Sequence, residues 1–190
     1  MKALRLSCIF LFLLVSTNHA RAADFEAALS QDTAQLTFRS DSSLIGWGGS
    51  DLALGLFFNE ADDFILDASL MQMRQASEGT PLTFGVGVKG YMGQLDKPDE
   101  DVFAFAIGGE VRYTIPGTMP MAVYARGFYA PGITSFSGAE QVLDYQFGFQ
   151  IEALPQTVAF VGIRHFEIEI DDGDYELDDD NVHVGVRLTF

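Results

Sequence analysis

The chain has 190 residues, with 27 acidic side chains against 11 basic ones, a net charge of −16 and a single cysteine. That length suits one domain, and so acidic a surface excludes binding to nucleic-acid phosphates. Hydrophobic residues still make up 48% of the chain, so the question is where the apolar and acidic residues sit.

Lys2 and Arg5 form a basic start, Ile9 to Val15 is an unbroken apolar run, and Ala20-Arg21-Ala22 places small residues at both positions a signal peptidase reads. This pattern predicts a cleaved secretory signal over 1–22, too short for a membrane helix, and a single domain over 23–190. Removing Lys2, Arg5 and Arg21 takes the net charge from −16 to −19. Cys8 leaves with the signal, so disulfides, cysteine nucleophiles and thiolate metal sites are all excluded from the mature chain.

Beyond position 22 no run of eighteen apolar residues occurs, so a spanning structure would have to be a closed barrel. The chain alternates with period two, the signature of strands. Residues 24–29 and 33–39 form two short candidates around Ser30-Gln31-Asp32, and further strands are predicted at about 45–58 and 64–73. Leu82, Phe84, Val86 and Val88 alternate with Thr83, Gly85, Gly87 and Lys89. Phe103, Phe105, Ile107, Val111, Tyr113 and Ile115 alternate with Ala104, Ala106, Gly108, Glu110, Arg112 and Thr114. A strand at 121–130 follows, and then Leu143 to Ile151 alternates with Asp144, Gln146, Gly148, Gln150 and Glu152. In 157–170, Gly162 and Arg164 read as inward, whereas Phe166, Ile168 and Ile170 on the same phase read as lipid-facing; a bulge near His165 would reconcile them. Finally Val182, Val184, Val186, Leu188 and Phe190 alternate with His183, Gly185, Arg187 and Thr189.

The predicted fold is an all-β, antiparallel transmembrane β-barrel of ten strands, or eight if the two short segments do not span. Phe190 ends an apolar face and reads as the insertion signal for the barrel-assembly machinery. With Phe190 in the periplasm, the connectors 74–81, 116–120 and 153–156 fall on that side. The connectors 59–63, 93–101, 131–140 and 171–180 fall outside, and most of these are longer and acidic. Tyr91, Tyr113, Tyr129 and Tyr145 near strand ends read as an aromatic girdle. A soluble lipocalin-like barrel or sandwich would alternate too, but with its apolar face inward; the terminal Phe190, the acidic loops and the girdle argue against it.

Several stretches together carry a family resemblance. They are Ser30-Gln31-Asp32-Thr33-Ala34-Gln35-Leu36, Gly85-Val86-Gly87-Val88-Lys89-Gly90-Tyr91, Ile107-Gly108-Gly109-Glu110-Val111-Arg112-Tyr113-Thr114, Phe128-Tyr129-Ala130-Pro131, Val161-Gly162-Ile163-Arg164 and Val184-Gly185-Val186-Arg187-Leu188-Thr189-Phe190. On these the chain resembles the YfaZ family of outer-membrane proteins. The resemblance implies an outer-membrane barrel of porin type and no reaction, substrate or catalytic residue.

The chemistry-bearing residues point the same way. Lys89, Glu110, Arg112, Arg126, Asp144, Glu152 and Arg187 fall on the lumen face and carry both signs, as a mutually neutralising plug or as the lining of a narrow channel. His165 and His183 have no nucleophile–base–orienter partners that sequence can name, so no enzyme and no cofactor are expected. Asp171, Asp172, Asp174, Glu176, Asp178, Asp179 and Asp180 read as a solvated acidic outer loop. Their spacing does not fit an EF-hand, and divalent cations are weak candidate partners. The leading expectation is a porin passing small solutes or ions through a narrow mixed-charge lumen. The alternative is a non-conducting surface barrel acting through its acidic loops in adhesion, cation binding or envelope integrity. The expected location is the cell outer membrane, with membrane lipid and the assembly machinery as partners.

Overall fold

The computed structural model describes residues 23–42, 49–96, 100–170 and 173–190; the predicted signal over 1–22 and residues 45–48 of one predicted strand lie outside the described residues. The strands are β1 (Asp24–Leu29), β2 (Thr33–Asp41), β3 (Asp51–Asn59), β4 (Phe64–Gln75), β5 (Leu82–Leu95) and β6 (Glu100–Ile115). They continue with β7 (Met121–Ala130), β8 (Ser135–Ser137), β9 (Ala139–Leu154), β10 (Thr157–Ile170) and β11 (Gly173–Thr189). All but the short β8 form a closed antiparallel barrel of ten strands, in the order β5-β4-β3-β2-β1-β11-β10-β9-β7-β6, with β6 returning to β5.

Closure is what lets such a sheet sit in lipid, because every backbone N–H and C=O must find a partner inside the protein. The two short segments complete the circle. β1 pairs with β11 from Asp24↔Thr189 to Leu29↔Val184 and with β2 from Asp24↔Arg39 to Leu29↔Ala34. Their hairpin is tightened by the amides of Asp32 and Thr33 donating to Ser30 Oγ. At the terminal end of the barrel, where Ala23 and Phe190 exchange two backbone hydrogen bonds, the first and last strands are joined. The opposite end is here called distal. There β6 outruns its neighbour β7, and β8 folds back to pair with Val102–Ala104 and cover that edge.

The alternation sorts the residues as a membrane barrel requires. Val86, Val88, Phe105, Ile107, Val111, Val182, Val184 and Leu188 point outward and are exposed. Their strand neighbours point inward. Tyr113 and Tyr129 are exposed on the outside, but Tyr91 is only 1% exposed and lies inside, so it is no part of a girdle.

The inward face of β10 corrects a second expectation. Phe166, Ile168 and Ile170 keep the parity of Gly162 and Arg164 and are buried in the barrel interior. β10 itself does not bulge. The extra residues lie in β11, whose register against β10 slips between Arg164↔Asn181 and Phe166↔Asp178, and again before Glu167↔Glu176. The sequence reading failed there because it took every inward position to be polar. The interior is instead divided: at the distal end Phe57, Ile65, Tyr91, Leu95, Val102, Val142, Phe166, Ile168 and Leu177 form a continuous apolar cluster contributed by seven strands.

The predicted acidic outer loop is also mostly strand, because β11 begins at Gly173. Asp171 and Asp172 lie outside the described residues, as do the side chains of Asp174 and Asp179. Glu176 and Asp180 are exposed, whereas Asp178 turns inward and accepts from Thr33 Oγ1 and Asn181 Nδ2. Among the described residues no three carboxylate or histidine side chains are grouped to hold a metal ion. The predicted connector 93–101 is shorter too, since β5 runs to Leu95 and β6 starts at Glu100.

One buried carboxylate clips the distal loops together. Asp63 accepts from Asn59 Nδ2 at 2.7 Å, from the Asp96 amide at 2.8 Å and from the Tyr175 hydroxyl at 2.9 Å, tying three hairpins. Burial, then the hydrogen bond to Asp63 and its charge, push the Tyr175 phenol up to about 12. A raised phenol favours the neutral, bonded form, so this clip is intact below the ordinary tyrosine value of about 10 and is lost as pH rises through the folded value. The expected outcome of an ultraviolet phenolate titration is that Tyr175→Phe removes one late-titrating phenol from the wild-type curve. In Asp63→Asn that phenol should move back toward the ordinary range.

Candidate functional site

Of the eight basic residues beyond position 22, six point into the barrel: Arg39, Lys89, Arg112, Arg126, Arg164 and Arg187. Charges held there away from water must be paired, and three clusters do this.

The first is at mid-barrel, centred on Asp144 from β9. Its carboxylate accepts from Lys89 Nζ at 3.0 Å, from the Tyr91 hydroxyl at 2.9 Å and from Arg164 Nε at 3.1 Å. Lys89 also pairs with Asp67 at 3.3 Å, and Arg164 donates to Gln35 Oε1 at 2.9 Å. Gly55 makes room for this arrangement, because a Cβ there would collide with the Asp67 carboxylate from the adjoining strand. On the distal side the same cations meet aromatic faces. Arg164 lies 4.8 Å from the Phe166 ring centre, and Lys89 lies 4.7 Å from that of Tyr91. Cation–π contact thus joins the charged layer to the apolar cluster.

The second cluster is centred on Glu110. Arg112 donates to its Oε1 through Nε at 3.0 Å, and Arg126 donates to its Oε2 through Nε at 2.7 Å. Glu110 and Arg126 are direct register partners across β6 and β7, as counting outward from the 116–120 turn predicts. The third is centred on Glu26, which accepts from Arg187 Nε at 2.8 Å and, more loosely, from Arg39 Nη2 at 3.3 Å. These two clusters lie toward the terminal end. With the Asp144 layer as floor, they line a cavity of about 330 Å³.

Six of the seven lumen charges expected from sequence therefore fall in these clusters. Glu152 does not; it is half-buried on the inward parity of β9 close to the terminal end and outside all three. Sequence reasoning omitted Glu26, Arg39, Asp67 and Arg164 from the network. Parity could have found them: Arg39 shares a face with Gln35 and Thr37, and Asp67 shares one with Ser69. The signal was masked in β4 because its inward face also carries Ile65, Met71 and Met73. Of the histidines, His183 is buried inside against Gln146 at 2.6 Å. His165 instead stacks on Tyr145 and lies 3.3 Å from Glu167.

The Asp144 cluster makes a stability prediction. Replacing Asp144 with Asn leaves Lys89 with Asp67 and Arg164 with the neutral Gln35. Breaking a buried pair costs on the order of 3–5 kcal/mol. The expected outcome is a lower unfolding midpoint in detergent than for an outward-facing control such as Val86→Ala; equal midpoints would mean that the cluster is hydrated.

Comparison with known proteins adds the following. The family model described as YfaZ precursor matches residues 1–190. No curated protein matches the chain. Among solved structures, the crystal structure of the outer membrane channel DcaP of Acinetobacter baumannii is similar at a TM-score of 0.41 and 11% identity, covering 87% of this chain and 54% of that one. The chain thus spans about half the length of that channel. On the match over its whole length, and in keeping with the motifs that carry the resemblance, the chain belongs to the YfaZ precursor family.

Proposed function

We propose that the protein is an outer-membrane β-barrel whose lumen is closed to solutes at its outer end and open as a charged vestibule toward the periplasm. One observation carries the reading: the distal half of the interior is packed with apolar side chains, and Phe57, Ile65, Leu95, Phe166 and Ile168 are each no more than 1% exposed. A packed apolar constriction excludes water and ions. We orient the barrel by the expected periplasmic placement of Phe190, which sets the acidic extensions of β10 and β11 at the opposite, outer end.

The porin reading expected from sequence has its own support in the 330 Å³ polar cavity, which is half of a pore. Planar-bilayer recording separates the two. The wild-type barrel is expected to insert without conductance steps. The double variant Phe166→Ala/Ile168→Ala, first checked for heat-dependent mobility as a folded barrel, is expected to conduct, because truncation opens a path through the apolar layer. Wild-type steps would restore the porin reading. A silent double variant would show that the block lies elsewhere.

A further inference from the structure

We infer that the vestibule is a binding site for a small oxyanion, of phosphate or carboxylate chemistry, that enters from the terminal end. The inference rests on the proposed closed lumen only for the direction of entry.

Four guanidinium groups, Arg39, Arg112, Arg126 and Arg187, surround just two carboxylates, Glu26 and Glu110. The other acidic groups facing this end are Asp51, exposed and lining the cavity from β3, its register partner Asp41 on β2, and Glu152 and Asp24, half-buried near the end of the barrel. The cavity lining as a whole carries five cations, Arg39, Lys89, Arg112, Arg126 and Arg164, against five carboxylates, Glu26, Asp51, Asp67, Glu110 and Asp144, so the cationic excess belongs to the two clusters, each with two arginines on one glutamate. This occurs in a chain whose net charge is −16, so the excess is local.

The four arginines are not equally engaged. Arg112, Arg126 and Arg187 each hold their carboxylate through Nε. Arg39 touches Glu26 only through Nη2, at 3.3 Å, and its Nε is buried without a hydrogen bond among the described residues. A buried guanidinium donor without an acceptor is costly. Arg39 lines the cavity and is the arginine least held by its carboxylate, so its guanidinium is the one free to turn toward an oxygen anion there, and guanidinium is the side chain best matched to two-oxygen ligands. Thr37 and Thr114 add hydroxyl groups to the same wall, and the volume is ample for a group of phosphate size.

The test uses the refolded mature protein in detergent, titrated by calorimetry with inorganic phosphate and with succinate against sodium chloride of matched ionic strength. Saturable binding of at least one oxyanion is expected, beyond any chloride effect. Arg39→Gln should weaken it at least tenfold while leaving the heat-dependent gel shift intact, because Arg39 has the weakest hold on the network. Arg39→Lys, which keeps the charge but not the fork, should recover only part of it. A response no larger than that of chloride would overturn the inference, as would unchanged binding in Arg39→Gln. Phosphate binding without succinate binding would assign the site to phosphate groups, and the converse to carboxylates. Conductance does not enter this experiment, so the closed-lumen reading and the anion site can fail separately.

Discussion

A charge facing the inside of a narrow membrane barrel has little water to solvate it, and the interior of this protein is organised around that constraint. The buried carboxylates Glu26, Asp67, Glu110 and Asp144 each touch at least one cation, whereas Asp63 and Asp178, toward the distal end, are held by neutral donors. The Asp144 cluster does more than neutralise. It joins β5 to β9 through Lys89, although β6 and β7 separate those strands in the sheet. Such a bond crosses the lumen, so it resists flattening of the barrel in a way that bonds between neighbouring strands cannot. Buried ion pairs seldom add net stability over apolar packing, but a broken one is expensive, and this makes the charged layer a strong constraint on cross-section.

The strands and their parity were legible in the sequence because a membrane barrel imposes period two on both faces. β6, β9 and the end of β11 read correctly residue by residue, as did β5 as far as Lys89, and the short β1 and β2 were legible as the pair that brings the count to ten. The Glu110–Arg126 pair was legible from turn length alone, since a short connector fixes register. What sequence could not show was the change of interior chemistry along the barrel axis. Phe166, Ile168 and Ile170 obey the geometric rule while breaking the compositional one, so their parity was misread. Tyr91 was misread for the same reason. The acidic run after Asp171 was taken for a loop because seven carboxylates in ten residues disfavour a strand. In the structure it pairs with β10, whose Glu167 and Glu169 are themselves acidic. Cross-lumen partners such as Lys89 and Asp144, 55 positions apart, were individually visible but could not be matched without the closed barrel.

The division of the interior also bears on what the charges are for. The distal half closes the lumen mainly with aromatic and aliphatic side chains, beside the buried carboxylates Asp63 and Asp178, and Phe57, Tyr91 and Phe166 pack ring on ring at 5.5 Å. The same ten strands could be filled in this way along their whole length, at no electrostatic cost. The terminal half instead keeps a cavity and surrounds it with guanidinium groups in excess of the buried carboxylates that hold them. Plugging the barrel does not require that choice, because the other half shows the apolar solution at work in the same molecule. Stability does not favour it either, since a cavity forfeits the side-chain packing that the apolar half keeps. A feature that neither closes the barrel nor stabilises it is best explained by something that enters the cavity, and the chemistry of its lining makes that visitor an anion.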